Sequence, residues 1–199
     1  LRTDPSMNDL AALPANLPTA RIVEWIQDLS SRPRKPFYDV DGNPVPATTL
    51  DDLMGALDLE AIADNTKTRY GLALRRTALR GFPTGLRVFS TRGDTDIDRF
   101  QESALFPGTP VAIAHQSRDG KWLWVVSPRY KAWVARQDIA EGSREQVLAY
   151  ADKAPYRIVL RAKVSTVYTR EQPQLSEFQR DMCLRFPLAV VPPAAPATG

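Results

Sequence analysis

The spacing of hydrophobic and polar residues changes along the chain from a helical to a strand period. In the first third, Thr19 is predicted to cap a short helix that carries its apolar residues, as far as Leu29, on one broad face. A second helix begins at Thr48 or Thr49 and runs to about Asp64. Prolines and an Asp-Gly turn signal separate the two helices. Residues 1–69 are therefore predicted to form a helical segment behind an extended arm.

From Tyr70 onward, apolar residues alternate with polar ones or form short runs bounded by turn residues, which is typical of strands. The runs 110–116 and 122–127 are joined by Asp119-Gly120, a strong hairpin signal, and a third strand follows at 132–135. Closely spaced short strands of this kind predict a small β-barrel.

Beyond residue 142, a short helix at 143–152 leads into strand-like stretches at 156–163 and 164–169. These strands are too few to close a barrel by themselves. The whole pattern predicts a mainly β fold with N-terminal helices. It divides the chain into a helical segment at 1–69, a small barrel at 70–142, and a connector with part of a second barrel at 143–199.

Composition narrows the class of protein. Hydrophobic residues make up 43% of the chain and charged residues 25%, as in ordinary globular proteins. The net charge of +3 is too mild to favour a nucleic-acid partner, and no apolar run is long enough to span a membrane. The chain begins at Leu1 without a signal segment, so we expect it to come from a longer or processed product.

The single cysteine and single histidine offer little for catalysis. Cys183 follows His115, whereas papain-like enzymes place the cysteine first, at the start of a helix. Asp94, Asp96 and Asp98 have the alternating spacing of a calcium loop, but the glycine and the final carboxylate of that loop are missing. We therefore predict no catalytic residue, metal site or cofactor for this chain.

Basic residues are densest in one stretch of the predicted strands, at Arg69, Arg75, Arg76, Arg80 and Arg87. A nucleic-acid surface would place stacking aromatic residues among them, and the chain has few there. We expect these arginines on the solvent side of a strand.

Four aromatic residues around the predicted hairpin are the most informative group: Trp122, Trp124, Tyr130 and Trp133. A small barrel needs large side chains in its core, and we assign Trp133 to that role. An exposed ring beside a loop would instead offer a surface for a peptide or a sugar. Tyr130 is the first candidate for such a surface, and Trp124 is added as a candidate substrate contact.

Five stretches carry a recognisable pattern: 77–84 (TALRGFPT), 98–103 (DRFQES), 107–111 (PGTPV), 117–122 (SRDGKW) and 130–134 (YKAWV). This pattern resembles the bacterial SH3 domain found ahead of the catalytic domain in NlpC/p60-type cell-wall cysteine peptidases. Residues 182–188 (MCLRFPL) are similar to a segment of the second SH3-like domain in those proteins. The helical part before residue 70 looks like their N-terminal clip.

The resemblance implies the non-catalytic part of a peptidase that cuts the γ-D-glutamyl to diamino-acid bond of peptidoglycan stem peptides. Its expected partners are those stem peptides and a downstream papain-like domain, which holds the catalytic cysteine and histidines of the family. The implied location is the cell envelope, either periplasmic or otherwise extracytoplasmic. A lipid anchor attached through an N-terminal signal outside this sequence is a further option.

The resemblance also assigns site residues. Tyr130 matches a tyrosine that lines the pocket for the substrate amine in related peptidases. Their acidic partner is expected near 107–111, where this chain has Thr109, so Glu102 becomes the substitute. Cys183 stands where the family has glycine.

Two other functions stay open at this point. The first is an independent cell-wall or peptide-binding SH3-like module without an enzyme partner. The second is an enzyme that uses His115 and Cys183, which the order of these residues disfavours. A papain-like domain in the downstream reading frame would decide between the first of these and the peptidase.

Overall fold

A computed structural model describes residues 7–158 and 160, together with the backbone of three short strands at 163–165, 177–179 and 185–187. The chain divides into two compact units, Leu1–Leu148 and Ala149–Gly199. The first unit therefore holds both the N-terminal helices and the main sheet. Among the described helices, none is long and apolar enough to cross a membrane.

The first unit alternates short helices and strands. Its helices are α1 (Thr19–Leu29), α2 (Ala47–Ala56) and α3 (Arg144–Ala149). Its strands are β1 (Asn16–Pro18), β2 (Asn65–Lys67), β3 (Arg69–Ala73), β4 (Thr77–Arg80), β5 (Gln101–Leu105), β6 (Pro110–Gln116), β7 (Trp122–Val126), β8 (Lys131–Ala135) and β9 (Ile139–Gly142). Short 3₁₀ turns lie at Leu59–Ala61 and Arg136–Asp138.

Both N-terminal helices begin directly after a proline with extended backbone, Pro18 and Pro46. Thr19 is thus the first helical residue and not the cap, and its hydroxyl donates to the Ala63 carbonyl at 2.6 Å. Helix α2 ends well before the predicted Asp64. The reason is Asp58, whose φ of 50° lies in the left-handed region and turns the chain out of the helix.

Strands β3–β9 form one antiparallel sheet with the order β5-β4-β8-β7-β6-β3-β9. Asp119-Gly120 closes the β6–β7 hairpin as predicted, with Gly120 at a φ of 67° that favours glycine. The paired residues of β7 and β8 include Trp124 opposite Trp133. The predicted mainly β fold with N-terminal helices is confirmed.

The two faces of this sheet bury different side chains. The inner face packs a mostly aliphatic cluster: Ala73, Leu79, Leu105, Val111, Ile113, Leu123, Val125, Ala132, Val134 and Ile139. The outer face packs Trp124 and Trp133 against apolar residues of α1 and α2, among them Ile22, Ile26, Leu53 and Leu57. The helices therefore cover one side of the barrel and share a core with it.

Hydrogen bonds tie the helices to the sheet at buried positions. Ser30, at the end of α1, donates its hydroxyl to the Gly81 carbonyl at 2.6 Å. The same oxygen accepts the indole N–H of Trp133 at 3.1 Å. Trp133 has no exposed surface, so the prediction that it belongs to the core is confirmed.

The second unit contains two short antiparallel strand pairs among its described residues. A 3₁₀ turn lies at Tyr150–Asp152. Strand β10 (Tyr156–Ile158) pairs with β13 (Arg185–Pro187), and β11 (Lys163–Ser165) pairs with β12 (Glu177–Gln179), both antiparallel. A second barrel in this region stays a prediction.

Candidate functional site

Tyr130 lies in the turn between β7 and β8, and its backbone is fixed there by Ser127. The Tyr130 amide donates to the Ser127 hydroxyl oxygen at 3.1 Å. The Tyr130 carbonyl accepts both the Ser127 amide and the Ser127 hydroxyl at 2.8 Å. Three hydrogen bonds fix the backbone of this turn, and the tyrosine ring also packs against the aliphatic cluster of the inner face.

The Tyr130 side chain reaches Glu102 on strand β5. The phenol Oη donates to Glu102 Oε2 at 2.6 Å, and both side chains are at the surface. The two residues that the sequence named for substrate binding are therefore in contact, although 28 positions separate them. The hydrogen bond to Glu102 raises the pKa of the Tyr130 phenol to about 12, so the phenol keeps its proton at neutral pH.

Gly81 leaves the space that the Glu102 carboxylate occupies. A Cβ at position 81 would lie 3.3 Å from Glu102 Oε1, closer than ordinary van der Waals contact. The second carboxylate oxygen of Glu102 therefore sits against bare backbone. A glycine at the end of β4 is thus part of the local geometry of the site.

A pocket of about 340 Å³ opens beside the tyrosine. It is lined by Asn8, Trp25, Asp28, Leu29, Arg129, Tyr130 and Lys131. The indole of Trp25 carries a cation near its ring, with Lys131 Nζ 5.2 Å from the centroid. Sequence reasoning missed Trp25 and Asp28, because nothing in the spacing of α1 indicates that it packs beside a turn about a hundred residues further along.

The chemistry of the pair suits an ammonium group. The Tyr130 oxygen uses its proton on Glu102 and keeps lone pairs that accept an N–H. The Glu102 carboxylate supplies a negative charge and accepts charge-assisted hydrogen bonds. A primary ammonium group placed beside the hydrogen-bonded pair would find a phenol lone pair and a carboxylate as acceptors, together with one opposite charge.

The third residue named from the sequence, Trp124, does not join this site. Its side chain is 0% exposed and packs edge-on against Trp133, with ring centroids 5.5 Å apart. A ring without exposed surface cannot touch a ligand at the surface of this fold. Strand alternation assigns Trp122 and Trp124 to one face of β7, but it does not show that the helices cover that face.

Arg80 also departs from the expectation that the arginines face solvent. It is 5% exposed and pairs through Nη1 with Asp98 Oδ2 at 2.5 Å. Its other nitrogens donate to the carbonyls of Thr84 and Leu86. Asp98 accepts the amides of Val88 and Phe100 in turn, so four further hydrogen bonds hold this buried pair, which anchors the loop before β5.

His115, the other candidate among the described residues, does not join the Tyr130 site. His115 is buried, and its Nε2 lies 2.9 Å from the Leu57 carbonyl at the end of α2. Burial lowers the pKa of this imidazole. Cys183 lies outside the described residues. Within the part of the chain that the structure describes, no group of three potential ligands could hold a metal ion.

Comparisons with known proteins agree with this architecture. A family model for SH3 domains of the SH3b1 type matches residues 87–135. Among solved structures, an NlpC/P60 endopeptidase from Photobacterium damselae subsp. piscicida is similar, with a TM-score of 0.68 and 16% sequence identity. The likeness covers 86% of this chain and 41% of that protein. No curated protein matches the chain.

Residues 87–135 thus match an SH3 domain of the SH3b1 type. Its fold matches part of an NlpC/P60 endopeptidase, and at this level of identity the likeness establishes the fold alone. The resemblance read from the sequence, to the SH3 region of an NlpC/P60-type protein, is confirmed. The chain spans 41% of the length of that endopeptidase.

Proposed function

We propose that this chain is the non-catalytic, substrate-recognising part of a peptidoglycan peptidase of the cell envelope. It binds stem peptides through their free N-terminal amine and presents the γ-D-glutamyl to diamino-acid bond to a downstream papain-like domain. The observation that carries this proposal is the contact between Tyr130 Oη and Glu102 Oε2, at the surface beside a pocket. The SH3b1 match and the NlpC/P60-like fold support the proposal that the protein acts at the cell wall.

Glu102 takes the place of the acidic partner that the family resemblance leads one to expect near Thr109. Thr109 is engaged in its own turn, where its hydroxyl accepts the Phe106 amide at 3.2 Å. Glu102, by contrast, directs a carboxylate at the tyrosine hydroxyl. The amine site is therefore built from β5 and the β7–β8 turn.

The proposal is tested by titrating the chain with a stem tripeptide, L-alanyl-γ-D-glutamyl-diaminopimelate, and with its N-acetylated form. Of the four tryptophans, Trp25 lines the pocket beside Tyr130, so its indole N–H resonance reports binding there. We expect the free-amine peptide to shift that resonance and acetylation to weaken binding about ten-fold or more. Equal binding of both peptides would contradict the proposal that the site recognises the free amine.

Variants sharpen this test. Tyr130→Phe loses the hydroxyl and Glu102→Gln loses the charge, and each should weaken binding of the free-amine peptide roughly five- to thirty-fold. Ser103→Ala, an exposed neighbour of Glu102, is the matched control and should bind as the wild type. All three should keep the wild-type melting temperature within a few degrees, because the altered groups lie at the surface.

The role of a downstream domain needs a separate test. We expect no cleavage of the tripeptide by this chain alone, and cleavage that disappears in Cys183→Ser would overturn that expectation. In a longer native protein with a papain-like domain, Tyr130→Ala should lower kcat/KM for free-amine peptides and leave N-acetylated ones nearly unchanged. If the native protein has no such domain, the chain is better explained as a stand-alone wall-binding module than as part of a peptidase.

A further inference from the structure

Trp122 differs from the other two tryptophans of the sheet because the helices leave it half-uncovered. It stands at the start of β7, at the opposite end of the hairpin from Tyr130. Trp124 and Trp133 form the next pair on the same face of β7 and β8, and both are fully buried beneath α1 and α2. The outer face of the sheet therefore ends in a partly exposed indole ring.

A strip of small side chains continues from this ring across the sheet. Trp122 pairs with Ala135 on β8, and Ala78 pairs with Ala104 on β5. The pairing of Arg80 with Trp133 places Ala78 opposite Ala135, so these residues form one row on one face. With strands about 4.8 Å apart, the row extends about 14 Å from the indole. Three alanines beside a large ring make a shallow, flat-bottomed groove.

Concave space opens on both sides of Trp122. One pocket, of about 580 Å³, is lined by Ala78, Arg80, Gly85, Arg87, Asp96, Ile97, Asp98, Gln101 and Trp122. The other, of about 470 Å³, is lined by Gly120, Lys121, Trp122, Ala135, Arg136 and Gln137. The indole is the ridge between them, and together we call these spaces the Trp122 groove.

Polar side chains at the rim of the Trp122 groove are held in place. Gln101 donates its amide to the Ser103 carbonyl, which leaves the amide oxygen as an acceptor. Arg87 stacks over the Phe89 ring at 5.2 Å and donates to the Thr95 carbonyl. On the other side, Arg136 donates to the Gln116 side chain at 3.0 Å. The buried pair of Arg80 and Asp98 forms a preorganised floor.

This combination fits a sugar better than an extended peptide or a nucleic acid. A pyranose ring has an apolar face that packs on an indole and a circumference of hydroxyls that bond to amide, carboxylate and guanidinium groups. A nucleic acid would need a denser basic surface than this rim, which also carries Asp96 and two glutamines. A peptide strand would add to the free sheet edge at β5, at the far end of the alanine row, whereas the indole of Trp122 stands on the interior strand β7.

We propose that the Trp122 groove is a second ligand site, which binds an oligosaccharide by stacking a sugar ring on Trp122 across the alanine row. The choice of N-acetylated amino sugars as its ligand rests on the proposed function, since these form the glycan strand of the cell wall. The groove lies at the far end of the hairpin from Tyr130. One SH3 domain would then hold the glycan and the stem peptide at separate places.

The test uses the full chain and the tetramer of N-acetylglucosamine, followed through the four indole N–H resonances. We expect saturable shifts of the Trp122 signal with an affinity near millimolar, and no shift of Trp25, which lines the Tyr130 pocket. Trp122→Ala should weaken binding roughly ten-fold or more. Ala78→Leu keeps the indole but fills the groove, and it should abolish binding. Ala140→Leu, exposed on β9 outside the groove, is the matched control.

The outcomes separate this inference from the proposed function. Glycan binding that persists in Tyr130→Phe, together with loss of stem-peptide binding, supports two independent sites. Absence of any Trp122 shift, wild-type affinity in Ala78→Leu, or a shift of Trp25 instead would each overturn the glycan site. A stem peptide that shifts Trp122 and leaves Trp25 unchanged would show that the groove binds peptide, and the glycan assignment would fail.

Discussion

The two faces of the main sheet show how a small barrel can acquire a second core. The inner face is closed by aliphatic side chains such as Leu123 and Val125, as a barrel of this size requires. The outer face of a small barrel often meets solvent, yet here Trp124 and Trp133 lie under the N-terminal helices. The N-terminal helices, which we call the clip below, therefore share a core with the sheet and are not a loose attachment.

The same comparison explains where ligands can bind. The helices cover the middle of the outer face and stop short of both ends of the β7–β8 hairpin. Tyr130 remains accessible at one end and Trp122 at the other. Covering the middle thus leaves both proposed sites accessible, and they differ in chemistry.

The largest effect should come from the centre of the covered face. Trp133→Ala removes a fully buried ring and should lower the free energy of unfolding by about 3–5 kcal/mol. Leu123→Ala on the inner face should cost a comparable amount, about 2–5 kcal/mol. Denaturant unfolding followed by circular dichroism measures both. An outer-face loss far below the inner-face loss would show that the clip is only weakly attached.

A smaller effect is expected at the polar joint between clip and sheet. Ser30→Ala leaves the Trp133 indole N–H and the Gly81 carbonyl without their shared hydroxyl partner. Buried groups that lose their partners cost about 1–3 kcal/mol. Ser31→Ala, at an exposed position next to it, should change stability by less than about 0.5 kcal/mol. Equal melting temperatures for the two variants would contradict a structural role for this joint.

The smallest effect concerns pH and His115, which lies between the sheet and the end of α2. Burial lowers the pKa of its imidazole below the usual 6.5, while Asp58 opposes the shift and Arg69 adds to it. Below about pH 6.5 the unfolded chain therefore binds a proton that the folded chain resists, so stability falls as pH decreases.

His115→Gln keeps a donor for the Leu57 carbonyl and removes the titration. The difference in unfolding free energy between pH 7.5 and pH 5.5 should shrink in this variant. The lowered pKa values of Asp39 and Asp119 act at more acidic pH and do not interfere in that window. If this difference in unfolding free energy is the same in the variant as in the wild type, the titration of His115 does not cause the loss of stability at acidic pH.

Local signals predicted much of the barrel. Asp119-Gly120 gave the hairpin because a positive φ at the second residue is a local requirement, and Gly120 meets it. The helix starts and the core position of Trp133 also followed from nearby residues. The early end of α2 did not, since the left-handed backbone of Asp58 has no clear signal in the sequence.

The candidate site was only partly predictable, because its residues meet through tertiary structure. Tyr130 was named from the aromatic residues around the hairpin and Glu102 from the family resemblance, and their contact depends on the strand order β5-β4-β8. Trp124 and Arg80 were misplaced for one reason: strand alternation gives the face of a side chain but not what covers that face. The covering helices come from a distant part of the chain.

The shared hydroxyl of Ser30 has a consequence for the order in which the protein can fold. Trp133 and Ser30 are 103 positions apart, so their contact closes a very long loop, and such contacts slow folding. During synthesis, α1 leaves the ribosome long before β7 and β8 exist. Its apolar face, with Ile22 and Ile26, then has no sheet to pack on. The clip can therefore complete its core only after the strand that carries Trp133 has been made.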